Sequence, residues 1–476
     1  MGNSSDIRNT YAYEQPASAS QPSPLVSVII PVYRSEQVLP EAVASVLTQA
    51  LTDFELLLVV DGSPDHSYDL CQQLAEIDSR IHVFLKDNGG ICSARNYGLD
   101  HARGRYIAFL DHDDAYLPGY LSENVPLLEQ FEADFIKFEK MQEIWKRDGS
   151  VWHARMNGIS KMPGIAESAS AASASRTGAG SEVTPDSETV TNSQSASADQ
   201  SAPTVAYAVY DRDAIRRNYP AIRKASKVMA IWDGIYRRDF LEAHHIRFDE
   251  SFRYGHEDSM FDLKVCRYAQ KIIFSTGTYY VHKYRETTST SAVYASVRIH
   301  DAIKTVRYEA GLLRSWGYPD EQILYSYINE MYRVMDILSL PAEESKGTAK
   351  QAETMPGGDV PDKSSGSSSD TSTDTMAHAG VTQDQSSKAS QGVCKSTDRT
   401  RRGLATFRHY TLAQMDDAPQ AIRKLWKIDP IRGLLASLLW HRHYRTCMNL
   451  FRLYQKKVHT TYEPASADAA QNENQD

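Results

Sequence analysis

Between positions 25 and 111 short apolar runs alternate with stretches of helical spacing. "LVSVIIPVY" (25–33) is β-branched and has no polar face, whereas "QVLPEAVASVLTQA" (37–50) repeats its apolar residues every three or four positions. The alternation continues with a strand in "FELLLVVDGS" (54–63), a helix in "DLCQQLAEIDS" (69–79), a strand in "IHVFLKD" (81–87), a helix in "ICSARNYGLDHARG" (91–104) and a strand in "RYIAFLD" (105–111). Strands without in–out alternation, separated by short helices, predict a parallel sheet covered on both faces, a doubly wound α/β architecture.

Such a sheet binds ligands beyond the carboxyl ends of its strands. The residues closing those strands are Pro31-Val32-Tyr33, Asp61-Gly62-Ser63 and Asp111-His112-Asp113-Asp114, so all three groups are expected at one edge. Asp111 and Asp113 are two apart in a turn, which lets both carboxylates reach one side. Taken locally this is also a plain Asp-rich turn ending a strand. Its place after a buried strand favours a hard divalent cation, Mg²⁺ or Mn²⁺. Neither GxxxxGK[ST] nor GxGxxG is present, and the first strand runs into "PVYRSEQ". A nucleotide held here would lean on the metal for its phosphates and on side chains for its base. Tyr33 could stack on the ring while Asp61 accepts from a ring N–H; a tyrosine packed on the sheet rim is the alternative.

Composition then divides the chain. Residues 166–203 and 342–399 are rich in Ser, Ala, Thr, Gly and Asp with almost no large apolar side chains, and both are expected to be disordered. With a leader (1–24) and a tail (461–476), this leaves ordered pieces at about 25–165, 204–340 and 402–460. The first insertion is expected to interrupt one domain, 25–340, because neither half looks complete. Five scattered cysteines without a CxxC pair fit a reducing cytoplasm, and the N-terminus lacks the apolar core of a secretory signal. A formal charge of −9 does not suit a protein that coats nucleic acid.

The second piece carries Glu257-Asp258 before the amphipathic "SMFDLKVCRYA", and "TYYVHKYRETTSTS" after the strand-like "KIIFS". An acidic pair opening a helix also has a purely local reading, through the helix dipole. His244-His245 are adjacent and point apart on a helix, so a structural role is expected of them.

The run "VSVIIPVYRSEQVLPEAVASVLTQALTDFELLLVVDGSPD", followed by "NGGICSARNYGLDHARGRYIAFLDHDDAYLPGYL", resembles the nucleotide-binding half of family 2 inverting glycosyltransferases with the A-type fold. The resemblance covers about residues 25–125. It implies a Rossmann-like, mostly parallel α/β sheet. It also implies that Pro31, Tyr33 and Asp61 hold the nucleobase and ribose, that Arg95 and Asn96 lie near the donor, and that Asp111-x-Asp113 is the metal-binding DxD. His112 stands where the family often has Ser or Ala. "YRRDFLE…IRFDE" and Glu257-Asp258 are similar to the family's acceptor half (204–290) and its "ED" motif. Asp258 would be the general base and Glu257 an acceptor-site or orienting residue. His282, Tyr284 and Arg285 become candidates to reach the donor diphosphate, His282 also as a metal ligand.

The expected activity is metal-dependent transfer, with inversion, of a hexosyl or N-acetylhexosaminyl group. The donor would be a nucleotide sugar, a UDP-sugar by expectation, and the acceptor a glycan or lipid-linked molecule in polysaccharide or cell-envelope biosynthesis. The alternatives are a degenerate transferase kept as a scaffold or glycan-binding protein, and a nucleotidyltransferase, which would want a Gly-rich first loop. Residues 398–457 hold 13 Lys and Arg against four Asp. With their helical Leu, Trp and Phe spacing, residues 420–457 are read either as an anionic-membrane contact on the inner face of the cell membrane or as a helical cap or oligomer contact, with a nucleic-acid patch the minor reading.

Overall fold

The computed structural model describes residues 23–146, 148–156, 158–165, 191–192, 205–225, 230–252, 255–285, 298–339 and 400–461. The expected leader, both expected insertions and the expected tail fall outside these residues, apart from their margins and Thr191–Asn192.

The first piece forms the expected alternation. β1 (Val26–Val32), β2 (Phe54–Asp61), β3 (Ile81–Lys86) and β4 (Tyr106–Phe109) are interleaved with α1 (Leu39–Leu47), α2 (Ser67–Ile77) and α3 (Ile91–His101). β1, β2 and β4 are buried along their whole length, which is why their sequences lack alternation. Their order in the sheet is β3-β2-β1-β4, all parallel. The chain therefore winds outward from β1 to β3 and then returns to the other side of β1. The reversal between β1 and β4 opens a crevice at their carboxyl ends.

The sheet continues through β5 (Ala115–Tyr116), β6 (Phe135–Trp145), β7 (Val151–Met156), β8 (Thr191–Asn192), β9 (Tyr207–Asp211), β10 (Gly234–Arg237) and β11 (Lys271–Arg285). β10 runs antiparallel between β4 and β6, while β6 and β11 are parallel. The parallel character is thus concentrated in the first half of a mixed sheet. β8 lies within the expected disordered insertion, yet it pairs antiparallel with β9. β11 is one 15-residue strand with register shifts between Phe274 and Tyr280, longer than the separate segments its sequence suggests.

Helices α4 (Val125–Phe131), α5 (Arg212–Lys224), α6 (Arg238–Ala243) and α7 (Glu257–Tyr268) cover the second half. α7 packs on α8 (Arg298–Ser315), and α8 on α9 (Asp320–Ser339). The helix at 400–410, α10, is followed by α11 (Ala418–Ile428), α12 (Pro430–Trp440) and α13 (Tyr444–Thr461), and α11 to α13 pack on α9. Cys447 Sγ lies 4.0 Å from Met335 Sδ, and Arg432 bonds Asn329 at 2.9 Å. The basic C-terminal piece is therefore a helical cap on the second half. His244 stacks on Tyr268 at 4.6 Å, in keeping with the structural role expected of the His244-His245 pair.

Candidate active site

The crevice between β1 and β4 is built from loops that hold one another. Arg34 N donates to Ser63 Oγ at 2.7 Å and Ser35 N to Ser67 Oγ at 2.8 Å, tying the loops after β1 and β2. Tyr33 is half-buried on this rim with the Arg34 guanidinium 5.4 Å from its ring, and Pro31 is buried one residue before the end of β1. His112 Nδ1 lies 3.3 Å from Pro31 O, so this residue braces the acidic loop against β1.

Asp61 is 3% exposed and already engaged. Its Oδ1 accepts from Lys86 Nζ at 2.6 Å and Gly89 N at 2.9 Å, and its Oδ2 from Gly90 N at 2.7 Å. The carboxylate thus closes the turn into α3 at the helix N-terminus, where it meets unpaired N–H groups. Gly62 makes the turn possible, with φ +59° and a would-be Cβ 2.7 Å from Asn88 N. Oδ2 holds a single donor, so capacity for a base N–H remains on that oxygen.

Arg95 and Asn96, expected near the donor, are both held by protein partners. Arg95 is 1% exposed. Its Nη2 donates to Asp111 Oδ1 at 2.8 Å, and its Nη1 to Asp258 Oδ1 at 2.8 Å and Glu257 Oε1 at 3.2 Å. Asn96 faces a different neighbour, donating to Phe248 O at 3.0 Å and accepting from Phe248 N at 2.8 Å. The cause is helical: consecutive residues of α3 diverge by about 100°, and this face of α3 packs against the second half.

Arg95 thereby joins the two acidic motifs. Burial pushes the Asp258 carboxyl well above the ordinary aspartate range, with Glu257, Asp111 and Asp262 adding to the rise and Arg95 opposing it. Asp258 and Glu257 open α7, whose preceding residue His256 adopts a left-handed φ of 69°. One turn along α7, Asp262 accepts from the fully buried Lys137 at 2.8 Å, and Lys137 also bonds Asp233 and the Tyr236 hydroxyl. This ionic cluster pins α7 to β6 and β10; the sequence offered no periodic signal for it.

The acidic loop after β4 is held from β11. Asp113 Oδ2 accepts from Arg285 Nη1 at 2.7 Å. Asp114, expected with its neighbours at the end of the strand, is 2% exposed; it accepts from the Tyr280 hydroxyl at 2.7 Å and from Lys283 N at 2.7 Å. Burial raises its pKa well above the usual carboxylate value, with Asp113 and Asp111 adding to the rise. His282 stacks on Trp232 at 5.0 Å, and burial, assisted by Lys140, lowers its pKa to about 4, so the imidazole is neutral at pH 7.

Among the described residues no group of three or more His, Cys, Asp or Glu side chains is arranged to hold a metal ion. The set Asp111, Asp113 and His282 is therefore not closed into a cage. Each aspartate bonds its arginine through one oxygen only, and the two carboxylates stay 25% and 33% exposed. That donor set fits a hard cation whose remaining ligands are diphosphate oxygens and water, which is how Mg²⁺ is usually held.

Residues 27–181 match the family model "Glycosyl transferase family 2". The putative teichuronic acid biosynthesis glycosyltransferase TuaG of Bacillus subtilis (strain 168) is 41% identical over 113 residues, 24% of this chain and 45% of TuaG. The glycosyltransferase GlyA of Streptococcus pneumoniae serotype 4 is 25% identical over 329 residues, 69% of this chain and 39% of GlyA. The crystal structure of S. aureus TarS 1–349 in complex with UDP-GlcNAc is 15% identical, with a TM-score of 0.47 over 91% of this chain and 92% of that one. The chain spans less than half the length of both curated relatives.

Proposed function

We propose that the protein, whose residues 27–181 match the family 2 glycosyltransferase model, transfers a sugar, with inversion, from a nucleotide-sugar donor to a glycan or lipid-linked acceptor of a cell-envelope polysaccharide. The observation that carries this reading is the convergence of Asp111 and Asp258 on the one buried guanidinium of Arg95. An inverting displacement needs a base for the acceptor hydroxyl on one face of the anomeric carbon and a group that receives the leaving diphosphate on the other, and the shared guanidinium keeps the two acids in one site. The teichuronic acid pathway named for TuaG supports an envelope polysaccharide as the product.

In this reading the nucleobase lies on the rim formed by Pro31, Tyr33 and Asp61, with UDP the expected nucleotide. Asp258, its proton affinity raised by burial, takes the acceptor proton, and Glu257 orients the hydroxyl. Asp111 and Asp113 would hold Mn²⁺ or Mg²⁺, with His282 a further neutral donor, and Arg285, paired with Asp113, would stand beside the diphosphate. The cation, when bound, supplies charge stabilisation for the departing diphosphate. Transfer would take place at the cytoplasmic side of the envelope.

A panel of nucleotide sugars screened by thermal shift, with and without Mn²⁺, tests the reading. UDP-sugars should raise the melting temperature only with the metal. A panel in which no nucleotide sugar shifts it, together with no transfer to polysaccharide acceptors, would leave the scaffold alternative standing.

A further inference from the structure

Between residues 418 and 453 there are seven Lys and Arg to one Asp and no Glu, in a chain of net charge −9. An amphipathic helix lying in a bilayer would need its apolar stripe free. Here that stripe is used by the fold: Ala421, Ile422 and Leu425 of α11 and Leu435, Ala436 and Leu439 of α12 are buried, with both helices on α9.

What remains outside is the corner where α11 turns into α12. Trp426, Ile428 and Ile431 are 41%, 69% and 59% exposed. The corner is rigid by construction. Asp429 accepts from Arg432 N at 3.0 Å as the N-cap of α12 and pairs with the Arg432 guanidinium. Gly433 lets the two helices touch, since a Cβ there would lie 2.7 Å from Trp426 Cα. Arg423 and Lys427, one helical turn apart on α11, are exposed beside these side chains, while Lys424 is drawn toward Glu321 at 3.5 Å.

We infer that this corner docks the protein on an anionic bilayer surface. Trp426, Ile428 and Ile431 enter the headgroup boundary, and Arg423 and Lys427 meet lipid phosphates. Three apolar side chains fixed at a turn and bordered by cations match an interface that is apolar below and negative above. A second copy of the chain is the poorer occupant, because a twofold contact would set the same cations against each other. The inference adds a place to the proposed reaction and needs neither donor nor acceptor to be tested, so its failure leaves the transfer reading intact.

Flotation of the full chain with phosphatidylcholine vesicles, with and without phosphatidylglycerol, decides it. The wild type should float with the mixed vesicles and stay behind with phosphatidylcholine alone. Ile428→Ser/Ile431→Ser should abolish flotation. Arg423→Gln/Lys427→Gln should weaken binding at low salt on the order of 25-fold, about fivefold per charge. Both pairs are exposed, and unchanged melting temperatures confirm that the variants are folded. A wild type that does not float, or folded serine variants that float as well as it does, overturns the inference. So does a wild-type dimer that the serine variants turn into a monomer.

Discussion

Arg95 and Asp258 stand 163 positions apart in the chain and meet at 2.8 Å, where the guanidinium, 1% exposed, also holds Asp111. A cation buried among three carboxylates is costly to desolvate, and the acids around it offset that cost. Removing it strands those acids. Arg95→Met is expected to cost about 3–5 kcal/mol of stability and to abolish transfer, whereas Arg95→Lys, which keeps charge without the fork, should recover folding more than activity. Denaturant unfolding and turnover measured side by side check the split.

Asp258→Asn should bind donor as the wild type does and lose transfer, since the amide cannot take a proton. Calorimetric titration with a nucleotide sugar and Mn²⁺, followed by an activity assay, reads both. Normal turnover would move the base to another residue.

The raised Asp258 pKa sets a pH dependence of definite sign. Only the carboxylate accepts a proton, so transfer should climb with pH through a limb above the ordinary aspartate value of 3.8. Stability runs the other way. The contribution of a group whose folded pKa is raised is fully present below the unfolded value and fades as pH rises through the folded one. The rate profile and the pH dependence of the urea midpoint should therefore slope in opposite directions across the same window.

Asp113 is 33% exposed and pairs with Arg285 at the surface of the crevice, so its loss should hardly affect folding. Asp113→Ala is expected to change stability by less than about 1 kcal/mol and to remove Mn²⁺-dependent donor binding. Binding that is equal with and without metal in both proteins would sink the DxD assignment.

Tyr280→Phe takes a hydroxyl from the buried Asp114 carboxyl, 2.7 Å away. A cost of about 1–3 kcal/mol is expected for the buried carboxyl oxygen that loses this partner, and the acidic loop should loosen. The prediction is a lower melting temperature together with a weaker apparent affinity for Mn²⁺, read by titrating the metal against activity.

The local patterns carried much of this. The β-branched runs at 25–33 and 54–63, the helices between them and the acidic turn after "RYIAFL" are set by side-chain period and turn chemistry, which act over a few residues. They placed Asp111, Asp113, Glu257 and Asp258 at element ends, and the resemblance gave each a role. What the chain could not state locally was who faces whom. Arg95 sits on a helix that the sequence predicts, but only the tertiary fold brings it to Asp258, 163 positions away. Asp114 looks like one more turn residue until β11 covers it, and the basic C-terminal helices look free for a membrane until α9 covers their apolar stripes. Burial and ion pairing depend on which surfaces the strand order β3-β2-β1-β4 and the mixed half beyond it bring together. Those contacts join residues tens to hundreds of positions apart, beyond the reach of any local period.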